Sequence, residues 1–376
     1  MRIPVFEMER MQSTWENLVE YDMSESGVRP VTLRELAEMG FDLEQAVATP
    51  LGYSQSDGTP QLKELLCAIY SGATPANIEV TNGTSEANFL VASTVLAEGD
   101  GFAFEVPNYM QLHGVARGVG ARVGTFRLRP GAGWEPDWDE FDRAVVRGTR
   151  LVYVSNPNNP TGAVLSDQAM RRIVERCEKV GAYLVSDEVY QGAEVSRPLT
   201  RSFWGMSDRV IVTSGLSKAY GIPGVRIGWI IGPPGIVESC WSQHDYLTIG
   251  PNKLSDMIAR TAVAPGNREK LYLRTRQILQ ANLPVAAAWV ESFGGFLSFR
   301  PPEAGAIAFV KYESPARSLE IAETIRTRQS TLVVPGVHFG MEGYIRLWLG
   351  GRPESLAEGL RRVGIELCAL AAQGAS

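Results

Sequence analysis

Between residues 46 and 265 short apolar runs alternate with segments of helical period, and that alternation restricts the fold more than any other feature of the chain. The runs are Ile78–Thr81, Gly101–Phe104, Arg122–Phe126, Leu151–Ser155, Ala182–Ser186, Val210–Thr213 and Ile227–Ile231. Leu62, Leu65, Leu66 and Ile69 recur at helical spacing ahead of the first run, and helices are expected over Ser85–Ala97 and Asp167–Lys179. Strands of buried type separated by helices imply a mostly parallel sheet covered on both faces. Beyond Pro265 the order changes. A long charged helix is expected from Arg268 to Gln280, with room to reach Glu291. Strands near Leu297–Phe299 and Ile307–Val310, a helix at Ser318–Arg328 and strands at Thr331–Val334 and Tyr344–Trp348 follow, and an amphipathic helix at Leu356–Leu370 ends the series. The chain therefore divides into an N-terminal segment 1–45, irregular or weakly helical, a large α/β domain 46–265, and a linking helix with a smaller α+β domain 266–376.

Composition narrows the function. With 376 residues, 44% hydrophobic and 21% charged, the chain can bury large cores, which excludes disorder, collagen and small disulfide scaffolds. Lys and Arg number 36 against 42 Asp and Glu, so no basic excess remains for nucleic acid or an anionic membrane. No run of about 18 uncharged apolar residues suggests a membrane span, and the opening MRIPVFEMERMQ carries acids where a signal peptide needs apolar residues. Cys67, Cys177, Cys240 and Cys368 lie far apart, and His113, His244 and His338 are near none of them, so no metal site is expected. Idle thiols fit a reducing compartment, and the expected location is the cytoplasm.

The sharpest motif is Ser214-Gly-Leu-Ser-Lys218-Ala-Tyr-Gly-Ile-Pro-Gly-Val-Arg226, directly after a strand. Only six of the 36 basic residues are lysines, so Lys218 in a small-residue setting stands out. A lysine that forms imines must be partly desolvated or near other cations. Ser217 and Arg226 beside it can bind a phosphate, although a solvated surface loop would read the same way. Ser186-Asp-Glu-Val-Tyr190 puts carboxylates at the end of a strand, where α/β folds bind ligands, or where a simple cap would sit. Ser155-Asn-Pro-Asn-Asn159-Pro-Thr-Gly162 forces a tight turn. Thr81-Asn-Gly-Thr84-Ser85-Glu opens a helix whose free amides suit an anion, or merely caps it. Tyr109, in Pro-Asn-Tyr, can stack on a flat ring or pack in the core. Arg346 lies inside an apolar strand and needs a partner, either a ligand carboxylate or a structural acid.

Taken in order, Gly-x-x-x-Ala, Pro-x-Tyr, Asn-Pro-x-Asn-Pro-Thr-Gly, Asp-x-x-Tyr, Ser-Lys with Arg eight later, and Pro-Gly…Phe-Gly…Arg resemble the class I/II aminotransferases, which are fold-type I enzymes dependent on pyridoxal phosphate (PLP). The resemblance runs from about Leu51 to Arg346. It implies that Lys218 forms the covalent link to the cofactor and shuttles the proton, and that Asp187 pairs with the ring nitrogen. Tyr190 and Asn159 would bond the ring's phenolic oxygen, and Tyr109 would stack on the ring. Thr84, Ser85, Ser217 and Arg226 would hold the phosphate. Tyr53, in Gly-Tyr-Ser-x-x-x-Gly, matches a tyrosine that reaches the phosphate of a neighbouring subunit, which implies a homodimer with shared sites. Arg346 would grip the substrate α-carboxylate.

Three departures concern the pocket. Gly215 stands where the family often has Ser or Thr, so one phosphate contact is missing. The N-terminal Gly-x-Pro segment is absent, and Ser24-Glu-Ser-Gly27-Val28 takes its place, with Gly27 and Val28 near the substrate. Pro302-Glu-Ala-Gly305-Ala replaces Pro-x-Gly-Gly-x-Phe. The opening through Ser26-Gly-Val also resembles divergent members in antibiotic pathways, including lincosamide sulfur-processing enzymes, and the arginine bias fits a GC-rich genome. The resemblance implies transamination between an amino acid and a 2-oxo acid. C–S β-elimination or decarboxylation-coupled deamination is the alternative. A non-catalytic PLP-binding regulator is more distant, because about 50 acid-containing residues ahead of the motifs leave no room for a winged helix.

Overall fold

The structure is a computed structural model and describes residues 2–374. Its strands are β1 (Tyr21–Asp22), β2 (Ile78–Thr81), β3 (Gly101–Val106), β4 (Arg122–Arg129), β5 (Glu135–Pro136), β6 (Thr149–Ser155) and β7 (Tyr183–Asp187). They continue as β8 (Val210–Gly215), β9 (Gly228–Ile231), β10 (Leu297–Ser298), β11 (Ile307–Tyr312), β12 (Thr331–Leu332), β13 (Val334–Pro335) and β14 (Tyr344–Trp348). Eight of them form one sheet in the order β2-β9-β8-β7-β6-β3-β4-β5. The run from β8 to β4 is parallel, whereas β9 is antiparallel to both β2 and β8, and β5 closes the far edge antiparallel to β4.

Both faces of this sheet are covered, as the apolar runs require. Tyr153, Val185, Ile211 and Ile230 pack on one side with Leu90 and Val91 of the helix Thr84–Val95. Val152, Val154, Leu184, Val210 and Val212 pack on the other side with Met170, Ile173 and Cys177 of the helix Asp167–Val180. The two sets are offset by one residue along each strand, which is the two-residue period of a pleated sheet. Residues from 297 onward form a smaller antiparallel sheet, β10-β11-β14-β13. It is reached through the 25-residue helix Asn267–Glu291, about 37 Å long.

The structure differs from the sequence expectations in three places. The single strand expected over Thr331–Val334 is two: β12 pairs in parallel with β1, and after Val333 the chain crosses to β14 as β13. The first fifty residues contain helices Glu7–Trp15, Leu33–Glu38 and Leu43–Ala48, the last two capped by the Thr32 and Asp42 side chains. Helices Gln111–Val119, Trp138–Ala144, Pro234–His244 and Lys253–Val263 were not anticipated. Among the described residues no helix is long and apolar enough to cross a membrane.

Candidate active site

The parallel strands deliver their C-terminal ends to one edge of the sheet, where α/β folds bind ligands. Gly83–Ser85 follow β2, Tyr109 follows β3, Asn159 follows β6, Tyr190 follows β7, and Ser217–Lys218 follow β8. Because β9 runs the opposite way, its start lies at the same edge and brings in Arg226. Thr84, Ser85, Tyr109, Asn159, Asp187, Tyr190, Ser217, Lys218 and Arg226 all line one cavity of about 320 Å³.

One end of the cavity is built for an anion. The helix Thr84–Val95 begins there after Gly83, whose φ is +87°, and the buried Thr84 Oγ1 has no hydrogen-bond partner among the described residues. Free amides at a helix start attract negative charge. A Cβ on Gly83 would lie 2.9 Å from Arg226 Cζ, so glycine there lets the guanidinium approach. Arg226 Nη1 donates to Pro223 O at 3.0 Å and stands 3.5 Å from Ser217 Oγ. Gly215 now has a cause: a Cβ there would meet Thr84 Oγ1 at 2.6 Å and Ile227 O at 2.8 Å. The space for a serine at that position is taken by the threonine.

At the other end Asp187 is buried and accepts from Asn88 Nδ2 (2.8 Å), Val189 N (3.1 Å) and Tyr153 OH (3.3 Å). Burial pushes its carboxyl above the usual range, and these donors pull it back. Between the two ends, Lys218 Nζ donates to Ser26 Oγ at 2.8 Å and stands 3.4 Å from Glu25 Oε1. The lysine charge holds Glu25 down to about 2. Burial opposes the charge on Lys218, yet Glu25 and Tyr190 keep its pKa above that of an ordinary lysine. Tyr190 OH donates to Ser26 O at 3.0 Å, and burial raises its pKa. Tyr109 OH donates to Glu9 Oε1 at 2.7 Å, with the Phe6 ring edge-on at 4.8 Å.

Not every expected residue reaches the cavity. Arg346, 1% exposed on β14, stands behind the wall rather than in it. Its Nη1 donates to Asn159 Oδ1 at 3.1 Å, Nη2 bonds Ser24 O, and the buried Nε has no partner. Burial pulls the guanidinium below its ordinary range. Gly27 flanks the lysine stem without lining the cavity: a Cβ on it would lie 3.1 Å from Ser217 O and 3.6 Å from Lys218 Cδ. Val28 is a core residue at 2% exposure. Tyr53 is 91% exposed and does not line its own chain's cavity.

The wall facing the strand edge was missed from sequence. Met8, Glu9, Gln12 and Glu16 come from the first helix and its end, and Glu25 and Ser26 from the loop after β1. Gln12 Nε2 anchors this wall by donating to Ser24 O at 2.9 Å. Burial, then Asp22, Glu25 and Glu9, push Glu16 above the usual carboxylate range. Neither Glu9 nor Glu16 has an ion-pair partner among the described residues. Asn88 and Tyr153 were missed as well. Each had a signal: Asn88 lies one helical turn after Thr84, and Tyr153 lies two strand residues before Ser155.

Residues 17–363 match the family described as aminotransferase class I and II. The chain belongs to that family. It is 28% identical over 354 residues to capreomycidine synthase of Streptomyces vinaceus, covering 92% of this chain and 89% of that one. It is 25% identical over 330 residues to an aspartate aminotransferase of Streptomyces avermitilis, covering 83% and 80%. Among solved structures, a PLP-dependent aminotransferase from Streptococcus suis 89-1591 superposes with TM-score 0.91 at 30% identity, over 98% of this chain and 99% of that one. The PLP-dependent cyclase OrfR superposes with TM-score 0.89 at 26% identity, over 98% of each chain. The chain is thus a PLP-dependent enzyme of fold type I. The orphaned Thr84 hydroxyl, the helix start and the exposed Arg226 suit the phosphate, and the part-buried Lys218 amine suits the covalent link.

Proposed function

We propose that this aminotransferase-family enzyme transfers the amino group of an amino acid to a 2-oxo acid. The observation that carries the reading is Lys218 Nζ, part-buried in the cavity that Asp187 and Thr84 also line and adjacent to Glu25 and Ser26. Bound PLP supplies the electron sink that lowers the cost of breaking a bond at the substrate Cα. Lys218 Nζ takes the Cα proton and returns it, with Ser26 Oγ and Glu25 steering the amine. Asp187 pairs with the ring nitrogen, while Tyr190 and Asn159 bond the phenolic oxygen. Tyr109 covers the ring face. Thr84, Ser85, Ser217 and Arg226 hold the phosphate. Arg346 remains the proposed grip on the α-carboxylate: it touches the lining residue Asn159 and has an unpartnered Nε, and the carboxylate reaches it by displacing that part of the wall. Gly27 and Val28 set the backbone beside the lysine.

A homodimer is part of the proposal. Val47, Leu51, Tyr53 and Tyr246 are each at least 81% exposed, and such exposed apolar side chains suit contact with a second copy whose Tyr53 completes the phosphate site. The four unpaired thiols support a cytoplasmic location. We keep the domain division at 1–45, 46–265 and 266–376 as a proposal too. One observation favours a second reaction. Glu16, which lines the same cavity as Lys218 and whose pKa burial and acidic neighbours raise, suits a proton donor to a leaving group, as β-elimination from an S-substituted cysteine requires.

A single-turnover reaction of the holoenzyme with a panel of amino acids, S-alkyl cysteines included, tests both. Transamination yields one 2-oxo acid per site and no ammonia, with further turnover only when a second 2-oxo acid is added. Repeated release of ammonia and thiol without an acceptor establishes the lyase instead. Absence of any bound-cofactor absorbance after PLP is supplied overturns the site as drawn.

A further inference from the structure

The helix Thr84–Val95 buries an asparagine where its neighbours are apolar. Ala87, Leu90, Val91 and Ala92 are fully buried, and Asn88 among them is 2% exposed. An amide in that place costs helix propensity and desolvation unless both of its ends are satisfied. Both are: Nδ2 donates to Asp187 Oδ2 at 2.8 Å, and Oδ1 accepts from Thr213 Oγ1 at 2.7 Å. Strand register explains the meeting. Ser155, Asp187 and Thr213 stand directly opposite one another on β6, β7 and β8, so they share the face that packs on this helix. Thr213 is itself fully buried and follows Val210-Ile211-Val212 in an apolar strand. Two separate elements thus each give up an apolar position to one hydrogen-bond chain ending on Asp187.

The polarity of that chain follows from its ends. An ionised carboxylate only accepts, so Asn88 must present its NH₂ to Asp187 and its carbonyl to a donor, which Thr213 supplies. Reversing the amide to receive a proton from a neutral Asp187 would strand the Thr213 hydroxyl proton, whose acceptor is Asn88 Oδ1. We infer that Asn88, oriented by Thr213, is a positioning residue that holds Asp187 ionised and aimed for the ring nitrogen of PLP. This rests on the role given to Asp187 above.

The test compares equilibrium binding of PLP and of its 1-deaza analogue, in which CH replaces the ring nitrogen, to apoenzyme. Wild type, Asn88→Leu, Thr213→Val and the double variant are compared, with thermal unfolding of each apoprotein as the check on folding. Wild type should prefer PLP. Asn88→Leu should weaken PLP about ten- to a hundredfold, the size of one hydrogen bond to a charged group, and leave the analogue within about twofold. Thr213→Val should act in the same sense but less, and the double variant should be no worse than Asn88→Leu, because Thr213 works through the amide. Equal loss of both ligands, no loss of either, or additive effects overturn the inference while leaving the Asp187 role intact. A wild type that binds both ligands equally overturns the Asp187 role and this inference with it. If Asn88→Leu does not fold, Thr213→Val, nearly equal in volume, carries the test by the same selectivity.

Discussion

The two walls of the cavity are made in different ways. The cofactor wall is the edge of the large sheet: Asp187 ends β7, Arg226 precedes β9, and the other named residues sit two to four positions beyond strand ends whose register is set by buried ladders. The facing wall comes from the helix Glu7–Trp15 and the loop after β1, segments that reach the site from the far N-terminal end of the chain. The first wall carries one Arg and one Lys among its residues, and the second carries Glu9, Glu16 and Glu25. A wall that must hold an unchanging cofactor can be part of the core. A wall that selects substrates can be laid over the core from a peripheral segment and altered without disturbing the sheet.

The largest effect should come from the cofactor wall. Lys218→Ala removes the residue proposed as both covalent anchor and base, so turnover should fall at least about 10⁴-fold while thermal unfolding stays cooperative. Turnover near wild type in that variant would dissolve the distinction between the walls. Arg346→Ala comes next. It breaks a buried charged group away from Asn159, and KM for a simple α-amino acid should rise about a hundredfold, more than kcat falls. An unchanged KM would move the carboxylate site elsewhere.

The same contrast explains what the sequence could show. Lys218, Asp187, Tyr190, Asn159 and Arg226 lie in short motifs because each turn follows directly from a strand end, so local chemistry and position are written together. The N-terminal helix was not legible because only Met8 and Gln12 of its nine residues are buried. Met8 joins a small core cluster with Phe309, Val334 and Phe339, while Glu9 and Gln12 line the cavity, so the apolar positions are too few to read as a helical stripe. Gly215 was readable as a departure, but its cause is Thr84 Oγ1, 131 residues earlier in the chain and brought near by the β2-β9-β8 order. Thr331–Val334 read as one strand because nothing local marks the exchange of partner at Val333.

A third prediction tests how far the cofactor wall belongs to the core. Behind the phosphate end, His244 is fully buried between Glu79 (Nδ1 to Oε1, 2.7 Å) and Glu86 (Nε2 to Oε2, 3.1 Å). Glu86 in turn accepts from Asn82 N at 2.6 Å, which ties the phosphate loop to the cluster. Burial works against the imidazolium, but the two carboxylates raise His244 to about 9. A folded pKa above the unfolded value of about 6.5 gives stability that is full below pH 6.5 and is lost as pH rises through 9. Burial pushes Glu79 up to about 7, so it too loses stability as pH rises, but only below about pH 7, and the window that isolates His244 is pH 7.5 to 10. His244→Gln should cost roughly 2 kcal/mol relative to wild type at pH 7.5, with the gap closing by about pH 10. A gap that stays constant across the window would show that the cluster is not an ion pair.

The smallest effect should come from the substrate wall, and it separates this enzyme from relatives named for aspartate. With Glu9 and Glu16 free of ion-pair partners, a substrate side chain ending in a carboxylate enters against like charge. The holoenzyme should therefore turn over leucine with higher kcat/KM than glutamate. Glu16→Gln should narrow that ratio about two- to fivefold, consistent with one charge in a solvent-connected cavity, and adding Glu9→Gln should narrow it further. High salt should shrink the effect in wild type and leave little of it in the double variant. Lowering the pH should do the same, because Glu16, raised by burial and its acidic neighbours, protonates before an ordinary carboxylate. Leucine and glutamate used equally well by wild type would mean that the acids face away from the substrate side chain. Neither substitution should alter the unfolding temperature by more than about 1 °C, because Glu9 and Glu16 line the cavity and make no ion pair among the described residues.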